Sequence, residues 1–409
     1  MTSAERKSDT TKHILLTRTD ADGIETGKNA MRFTTSSKEL NEVLANMNRV
    51  INSKNSLPIL ADIVFDIKGD ILSMKASDSE ILLMAQTTVT DNEGEGSFAV
   101  SAKSITDAVK NIPDSPLTFS IEENDSIVKV DYFSGMFTLP VDNAIEFPAM
   151  PEMSETEKFS FTIIEGLLQE NIARTVFATA DDELRPVMNG IYFDLTTENL
   201  AVVASDGHQL VRNKILSVKA ENDSKAGSFI LPKKAANILK NILKKTTEEN
   251  TAVSFDSRQL RIATPSFVMQ CRLIEGRYPN YNSVIPQNNP NIVTVDRTAL
   301  IAALKRVSTF ANDSSQLVRI HVESGKLQLD TEDYDFSKTA SERMACDYNG
   351  TSMNIGLKGT KTMEILSNMN SQEIEIQLAD PSRAALIVPS EQPEGMDILM
   401  LQMPMLLND

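Results

Sequence analysis

The chain repeats itself, and that repetition constrains the fold more than any other feature. The segment Ile71-Leu-Ser-Met-Lys-Ala-Ser-Asp78 returns as Leu200-Ala-Val-Val-Ala-Ser-Asp206 and again as Leu327-Gln-Leu-Asp-Thr-Glu-Asp333, the aspartates falling about 128 residues apart. The order of elements around each echo recurs too: a short strand, a helix, a strand pair ending at the aspartate, more strands, a second helix and further strands. The first helices read over 37–51, 164–179 and 296–311, and the second over 101–112, 232–245 and 358–369. Alternating runs such as Ile63-Val-Phe-Asp-Ile, Gly190-Ile-Tyr-Phe-Asp-Leu and Val318-Arg-Ile-His-Val read as strands half buried against those helices.

A chain of 409 residues outgrows one hydrophobic core, so length alone asks for two to four domains. The repeat selects three α+β units of about 125 residues, each with two helices packed on antiparallel sheets. Pro- and Asn-rich segments after Phe147 and after Tyr278 read as linkers. The expected boundaries are a polar, disordered N-terminal extension over 1–30, then units over 31–150, 151–287 and 288–409.

No run approaches the roughly 18 continuous apolar residues of a membrane helix, and the polar start has no signal-peptide core. A cytoplasmic protein without a membrane role is expected. The only two cysteines, Cys271 and Cys346, have no partner at metal-ligand or disulfide-framework spacing and read as buried free thiols.

Net charge is −17, which taken whole repels phosphate. Its distribution says otherwise. The six helical segments hold fifteen basic residues against seven acidic, a sum of +8 that leaves −25 for the rest of the chain. In the helix over 232–245, Pro232 stands at a first-turn position. Ala235, Ile238, Leu239, Ile242 and Leu243 share one side, and Lys233, Lys240 and Lys244 fall within about 40° of one another on the other. One lysine face is ordinarily just solvated; six basic-leaning helices in an acidic protein suit a surface facing phosphate. With no aromatic stacking platform, helix-turn-helix or glycine-rich phosphate loop, binding is expected to ignore base sequence.

Groups for catalysis are scarce. Ser205, Asp206 and His208 are neighbours in sequence, whereas a catalytic triad is assembled from distant segments; Asp206-Gly207 is a turn former. The run Asp181-Asp182-Glu183 is an acidic loop of the usual solvated kind rather than a metal site. Neither enzyme activity, cofactor nor metal is expected. A hydrolase or transferase on a repeat scaffold would need convergent acid, base or metal groups, and a purely structural repeat protein would not need the helix charge bias.

Several motifs carry a family resemblance: Met31-Arg-Phe-Thr, Leu57-Pro-Ile-Leu60, Ala204-Ser-Asp-Gly-His-Gln-Leu210, Glu275-Gly-Arg-Tyr-Pro-Asn-Tyr281 and Gln402-Met-Pro-Met-Leu-Leu407. Over 31–407 the chain resembles the β subunit of bacterial DNA polymerase III, the sliding clamp. The resemblance implies a head-to-tail homodimeric ring of six domains, helices lining the hole, that encircles double-stranded DNA. It implies a cleft between the second and third units that takes peptides of the polymerase III α subunit, the clamp loader, other polymerases, mismatch-repair proteins and ligase.

The positions matching that cleft are Arg185, Met188, Ser205, Gly207, His208, Leu210, Pro279, Val284, Met403, Pro404, Met405 and Leu407. Gln209 and Ser283 stand where the family has arginine, Lys361 where it often has tyrosine and Leu406 where arginine is common. The apolar part of the pocket is kept, and the departures bear on partner preference. DNA-facing positions are Lys54, Lys103, Lys110, Arg174, Lys233, Lys240, Lys244, Lys305 and Arg306. The resemblance puts Phe137 and Leu139 on one side of the dimer contact and Phe310 on the other. Independently of it, Met403, Met405 and Leu407 alternate beside Pro404, and methionine adapts to varied partners.

Overall fold

The computed structural model describes residues 30–407 apart from 53–54, 56, 123–125, 155–157 and 223–224. Six helices are described: α1 (Ser37–Met47), α2 (Ala102–Val109), α3 (Glu165–Thr175), α4 (Lys233–Ile242), α5 (Arg297–Ser308) and α6 (Gly359–Ser367). They pack in pairs, α1 with α2, α3 with α4 and α5 with α6, as the threefold repeat requires. Each is shorter than the periodicity predicts.

The helix starts follow from local chemistry. Ser36 Oγ accepts the N–H of Glu39, Ser101 Oγ that of Ser104, and Asp296 Oδ1 that of Ala299 at 2.7 Å, each satisfying an N–H that the first turn leaves unpaired. Pro232 precedes α4 rather than opening it. The early end of α4 also has a cause. Leu243 turns to extended backbone, the buried carboxylate of Glu165 accepts the N–H of Lys244 at 2.8 Å, and the chain crosses Gly166, where a Cβ would lie 2.7 Å from the Lys245 carbonyl oxygen.

The chain forms two compact units, one running to Glu152 together with Arg261–Cys271, the other comprising Met153–Leu260 and Arg272–Asp409. In the first, Gly135–Pro140 ends a sheet that runs through Ile127–Tyr132, Pro116–Ile121 and Met31–Ser36. A second set pairs Ile71–Ser77 with both Asp62–Lys68 and Ile81–Thr88, and Ile81–Thr88 with Phe267–Arg272. The core includes Phe33, Phe65 and Phe119, with Phe33 stacked on Phe119 at 4.9 Å.

In the second unit, two repeats share one eight-stranded sheet. Gln209–Ile215 of the second repeat pairs antiparallel with Met396–Gln402 of the third, from Gln209 opposite Gln402 to Ile215 opposite Met396. A four-stranded sheet of the third repeat ends at Lys338–Ala345, which among the described residues pairs only with Lys326–Asp333.

The repeated aspartates prove unequal. Asp78 accepts the N–H of Ile81 at 2.7 Å and Asp206 that of Gln209 at 2.8 Å, so both close hairpins. Asp333 is still within its strand and takes the Asn312 side chain instead. The thiols differ as well: Cys271 is buried, and burial together with the charge of Asp78 pushes it up to about 12. Cys346, expected buried, is only half-buried because it follows an edge strand. No helix among the described residues is long and apolar enough to cross a membrane.

Candidate functional site

The hairpin between Leu200–Ser205 and Gln209–Ile215 is built from its own polar side chains. Asp206 Oδ1 accepts the N–H groups of His208 and Gln209, both at 2.8 Å. Ser205 Oγ donates to the Gln209 carbonyl at 2.8 Å and accepts from the Gly207 N–H at 3.1 Å. Gly207 has φ +90°, so the turn calls for glycine, and a Cβ there would sit 3.2 Å from the mobile end of Arg185, at Nη1. Asp206 Oδ2 takes the Lys361 ammonium at 2.8 Å. Burial alone would raise the Asp206 pKa; the Lys361 bond and the two N–H donors outweigh it and hold the carboxyl below its ordinary value. Ser205 and Asp206 are thus occupied in shaping a turn.

The C-terminal segment is stitched onto that turn. After Met396–Gln402 leaves the sheet, the Met403 N–H donates to the His208 carbonyl and the Met405 N–H to the Gly356 carbonyl, each at 2.8 Å. Gly356 permits this approach, since a Cβ there would be 2.7 Å from the Met405 carbonyl oxygen and 2.9 Å from a Leu407 methyl. Beneath lies an apolar cluster that includes Leu210, Tyr278, Tyr281 and Ile285, with Val187 packed against it. Tyr278 stacks flat on Tyr192 at 4.8 Å, anchoring the segment that presents Pro279 and Val284.

The expected segments, 185–188, 205–210, 278–285 and 403–407, therefore converge. Met188 and Leu210 are buried, while Val284, Met403 and Leu406 are 53, 42 and 89% exposed. Gln209 is buried on the opposite face of its strand from Leu210. Ser283 is exposed and donates to the Asn280 carbonyl at 2.7 Å. Sequence reasoning counted Lys361 among the helix cations and noted it as a departure; nothing local signals its bond to Asp206, 155 residues away.

The basic positions divide. Lys54 lies outside the described residues. Lys103 and Lys305 are exposed and Lys240 half-buried, without an ion pair among the described residues. Lys110 pairs with Asp107 and Lys233 with Asp181, each at 2.6 Å, Lys244 lies 3.8 Å from Glu249, and Arg306 is held by both oxygens of Glu342. Arg174 corrects the expectation of an exposed cation. It is 5% exposed and bonded to Glu170, because its position on α3 faces the protein interior. Lys244 likewise falls past the end of α4, so the ridge predicted on that helix reduces to Lys233 and Lys240.

The acidic run also has local duties. Asp181 pairs with Lys233, and Asp182 accepts the Leu184 N–H and the Arg185 guanidinium, at 2.9 and 2.7 Å. Among the described residues no group of three or more metal-ligating side chains occurs.

Two of the sheet edges bear on the expected dimer contact. On Gly135–Pro140, Phe137 and Leu139 are half-buried and Met136 exposed. Phe310, just past α5, is 43% exposed. The sequence reading passed over Tyr334 and Phe336, 81 and 68% exposed beside the edge strand Lys338–Ala345; the run Asp333-Tyr-Asp-Phe336, aromatics set among carboxylates, was the signal available.

The chain matches the sequence models of the N-terminal domain of the DNA polymerase III beta subunit over residues 31–151, its central domain over 162–280 and its C-terminal domain over 282–405. It is 26% identical over 358 residues to a beta sliding clamp of Haemophilus influenzae, spanning 87% of this chain and 95% of that one. The crystal structure of a Pseudomonas aeruginosa sliding clamp bound to griselimycin is similar, with 25% identity, a TM-score of 0.86 and coverage of 93% of this chain and 100% of the other. The DNA polymerase III beta subunit of Thermotoga maritima, 27% identical, gives a TM-score of 0.83 over 92% of this chain and 100% of that one.

Proposed function

Because this chain belongs to the bacterial DNA polymerase III beta subunit family, the DNA sliding clamps, we propose that two copies close head to tail into a ring around duplex DNA. As a sliding clamp the chain is a non-enzymatic processivity factor of DNA replication. In the proposed ring, domains over 31–150, 151–287 and 288–409 of each copy contribute to the circuit. The edge Gly135–Pro140 of one copy, with Phe137 and Leu139, meets the edge Lys338–Ala345 and Phe310 of the other. Such a heterologous contact repeats identically and closes after two subunits.

DNA contact through Lys103, Lys240 and Lys305, together with Lys54, is weak and indifferent to sequence, and retention is topological. Cations already held by carboxylates favour this reading, since a phosphate gains less from a lysine that must first leave its partner. Arg174 is not among these contacts.

The cleft formed by Arg185, Met188, Ser205, Gly207, His208, Leu210, Pro279, Val284 and the 403–407 segment receives short peptides of polymerases, the clamp loader, mismatch-repair proteins and ligase. The observation that carries this is the Met403 N–H bond to the His208 carbonyl, which joins the tail to the hairpin while Val284, Met403 and Leu406 remain exposed. Exposed apolar side chains over a buried apolar floor suit a partner's apolar anchors.

The test is retention on a loaded circular plasmid. The clamp should survive moderate salt and leave once a nuclease linearises the circle; immediate loss from intact circles removes the ring.

A further inference from the structure

A cavity of about 640 Å³ opens in the second unit beside the cleft. Pro279 lines it as well as the cleft, and its floor includes Tyr192, Tyr278 and Ile230 of the same apolar cluster that contains Leu210. A chain seated in the cleft and running past Pro279 meets this cavity next.

Its charges are of both signs but unequally available. Asp256 is committed, accepting the N–H groups of Arg258 and Gln259 through Oδ1 at 2.8 and 2.7 Å and that of Ser154 through Oδ2 at 3.2 Å. Asp194 receives the Tyr281 hydroxyl at 3.4 Å, and burial raises its pKa, which works against its charge. Glu275 is exposed at the rim. Arg258 and Arg277, also exposed and lining the cavity, make no guanidinium ion pair or hydrogen bond among the described residues. The charge of Arg277 does reach the Tyr192 hydroxyl. Two guanidinium forks without a protein partner among the described residues thus line a cavity that Tyr192 and Tyr278 also line, and such forks suit carboxylates.

We propose that this cavity is an accessory subsite that holds acidic residues flanking a cleft-bound peptide, with Arg258 and Arg277 as the groups that select them. The proposal rests on the cleft reading above. It makes the cleft select among partners by what lies outside their apolar anchors. Acidic flanks gain from Arg258 and Arg277, whereas basic flanks lose to these two groups what they gain from Glu275 and Asp256, so the balance favours acidic partners.

The probe is a fluorescent peptide carrying an apolar clamp-binding motif, compared with the same peptide extended at either end by about four alternating Glu and Asp residues, roughly 13 Å of extended chain, and with lysine-extended controls. The acidic extension at one end should tighten binding about fivefold at low salt, the range of a pair of partly exposed ion pairs. The gain should vanish at about 0.5 M salt and in the Arg258→Glu/Arg277→Glu variant, whose affinity for the unextended peptide should match that of the unmodified protein. An acidic extension that adds nothing, a lysine extension that adds as much, or equal weakening of the unextended peptide by the variant would each overturn the subsite while leaving the cleft intact. Failure of the unextended peptide to bind the unmodified protein would remove the cleft, and the subsite with it.

Discussion

The ammonium of Lys361, on α6 of the third repeat, donates to Asp206 Oδ2 in the hairpin of the second repeat at 2.8 Å. Both groups are largely shielded, with side chains 28 and 15% exposed. The other oxygen of Asp206 closes the turn that presents Gly207 and His208, so one carboxylate shapes the hairpin and ties it to α6.

Breaking this tie should cost about 1 kcal/mol, the upper range for a partly exposed pair, and loosen peptide binding severalfold. The folded Asp206 pKa is depressed. Its contribution is therefore present above the unfolded carboxylate value of about 3.9 and lost as pH falls through the folded value. A double-mutant cycle of Lys361→Met and Asp206→Asn, read by denaturant unfolding, should show coupling at pH 7 that fades below about pH 4. Full additivity at pH 7 would show that the bond contributes nothing.

Asp62 has the opposite sign. It is 6% exposed, and burial, then the hydrogen bond and charge of Asp142, raise its pKa to about 6. The folded state holds this proton more tightly than the unfolded chain, so stability falls as pH rises from about 4 to 6. Asp62→Asn should raise the melting temperature at pH 7 by a few degrees, from about 1–2 kcal/mol, and leave it unchanged near pH 4. An equal effect at both values would mean that the ionised carboxylate is not strained.

The proposed ring contact predicts a change in size. Phe137→Asp with Leu139→Asp should yield a folded monomer by light scattering, since burying two carboxylates in an apolar seam is prohibitive. Phe310→Asp should weaken the dimer from the other side. Unaltered dimers in both variants would put the contact elsewhere.

Deleting 403–409 should spare the dimer and abolish peptide binding. The strand Met396–Gln402 keeps its pairing with Gln209–Ile215, and removing Met403, Met405 and Leu407 takes away two or three apolar contacts of roughly 1.5–3 kcal/mol each when fully buried. A hundredfold loss or more is expected in a fluorescent-peptide titration; equal affinity of the truncated protein would place the partner site elsewhere.

What the sequence disclosed was local. Asp78 and Asp206 act on residues two or three positions ahead, so the repeat carries its turn chemistry in plain view, and Ser36 and Asp296 mark helix starts the same way. Helix ends were overread because Leu243 and Lys244 continue the period although the Glu165 carboxylate has already turned the chain. The seam between Gln209–Ile215 and Met396–Gln402 joins segments nearly two hundred residues apart and leaves no local trace. Lys361 could be seen to be unusual, but its partner could not. Arg174 was misread from helix charge alone; Glu170, one turn earlier, was the available warning of an ion pair.

Two of the strands that end their sheets make the single copy a hazardous object. Gly135–Pro140 and Lys338–Ala345 expose backbone donors and acceptors to which any extended chain could add. Pro140 closes one of them with a residue that has no N–H to offer, and Lys338, Glu342 and Arg343 stud the other with charges that tolerate only a complementary neighbour. A net charge of −17 keeps copies apart at long range. In the proposed ring, the same protections that guard these edges against unrelated chains would narrow what the chain can close upon.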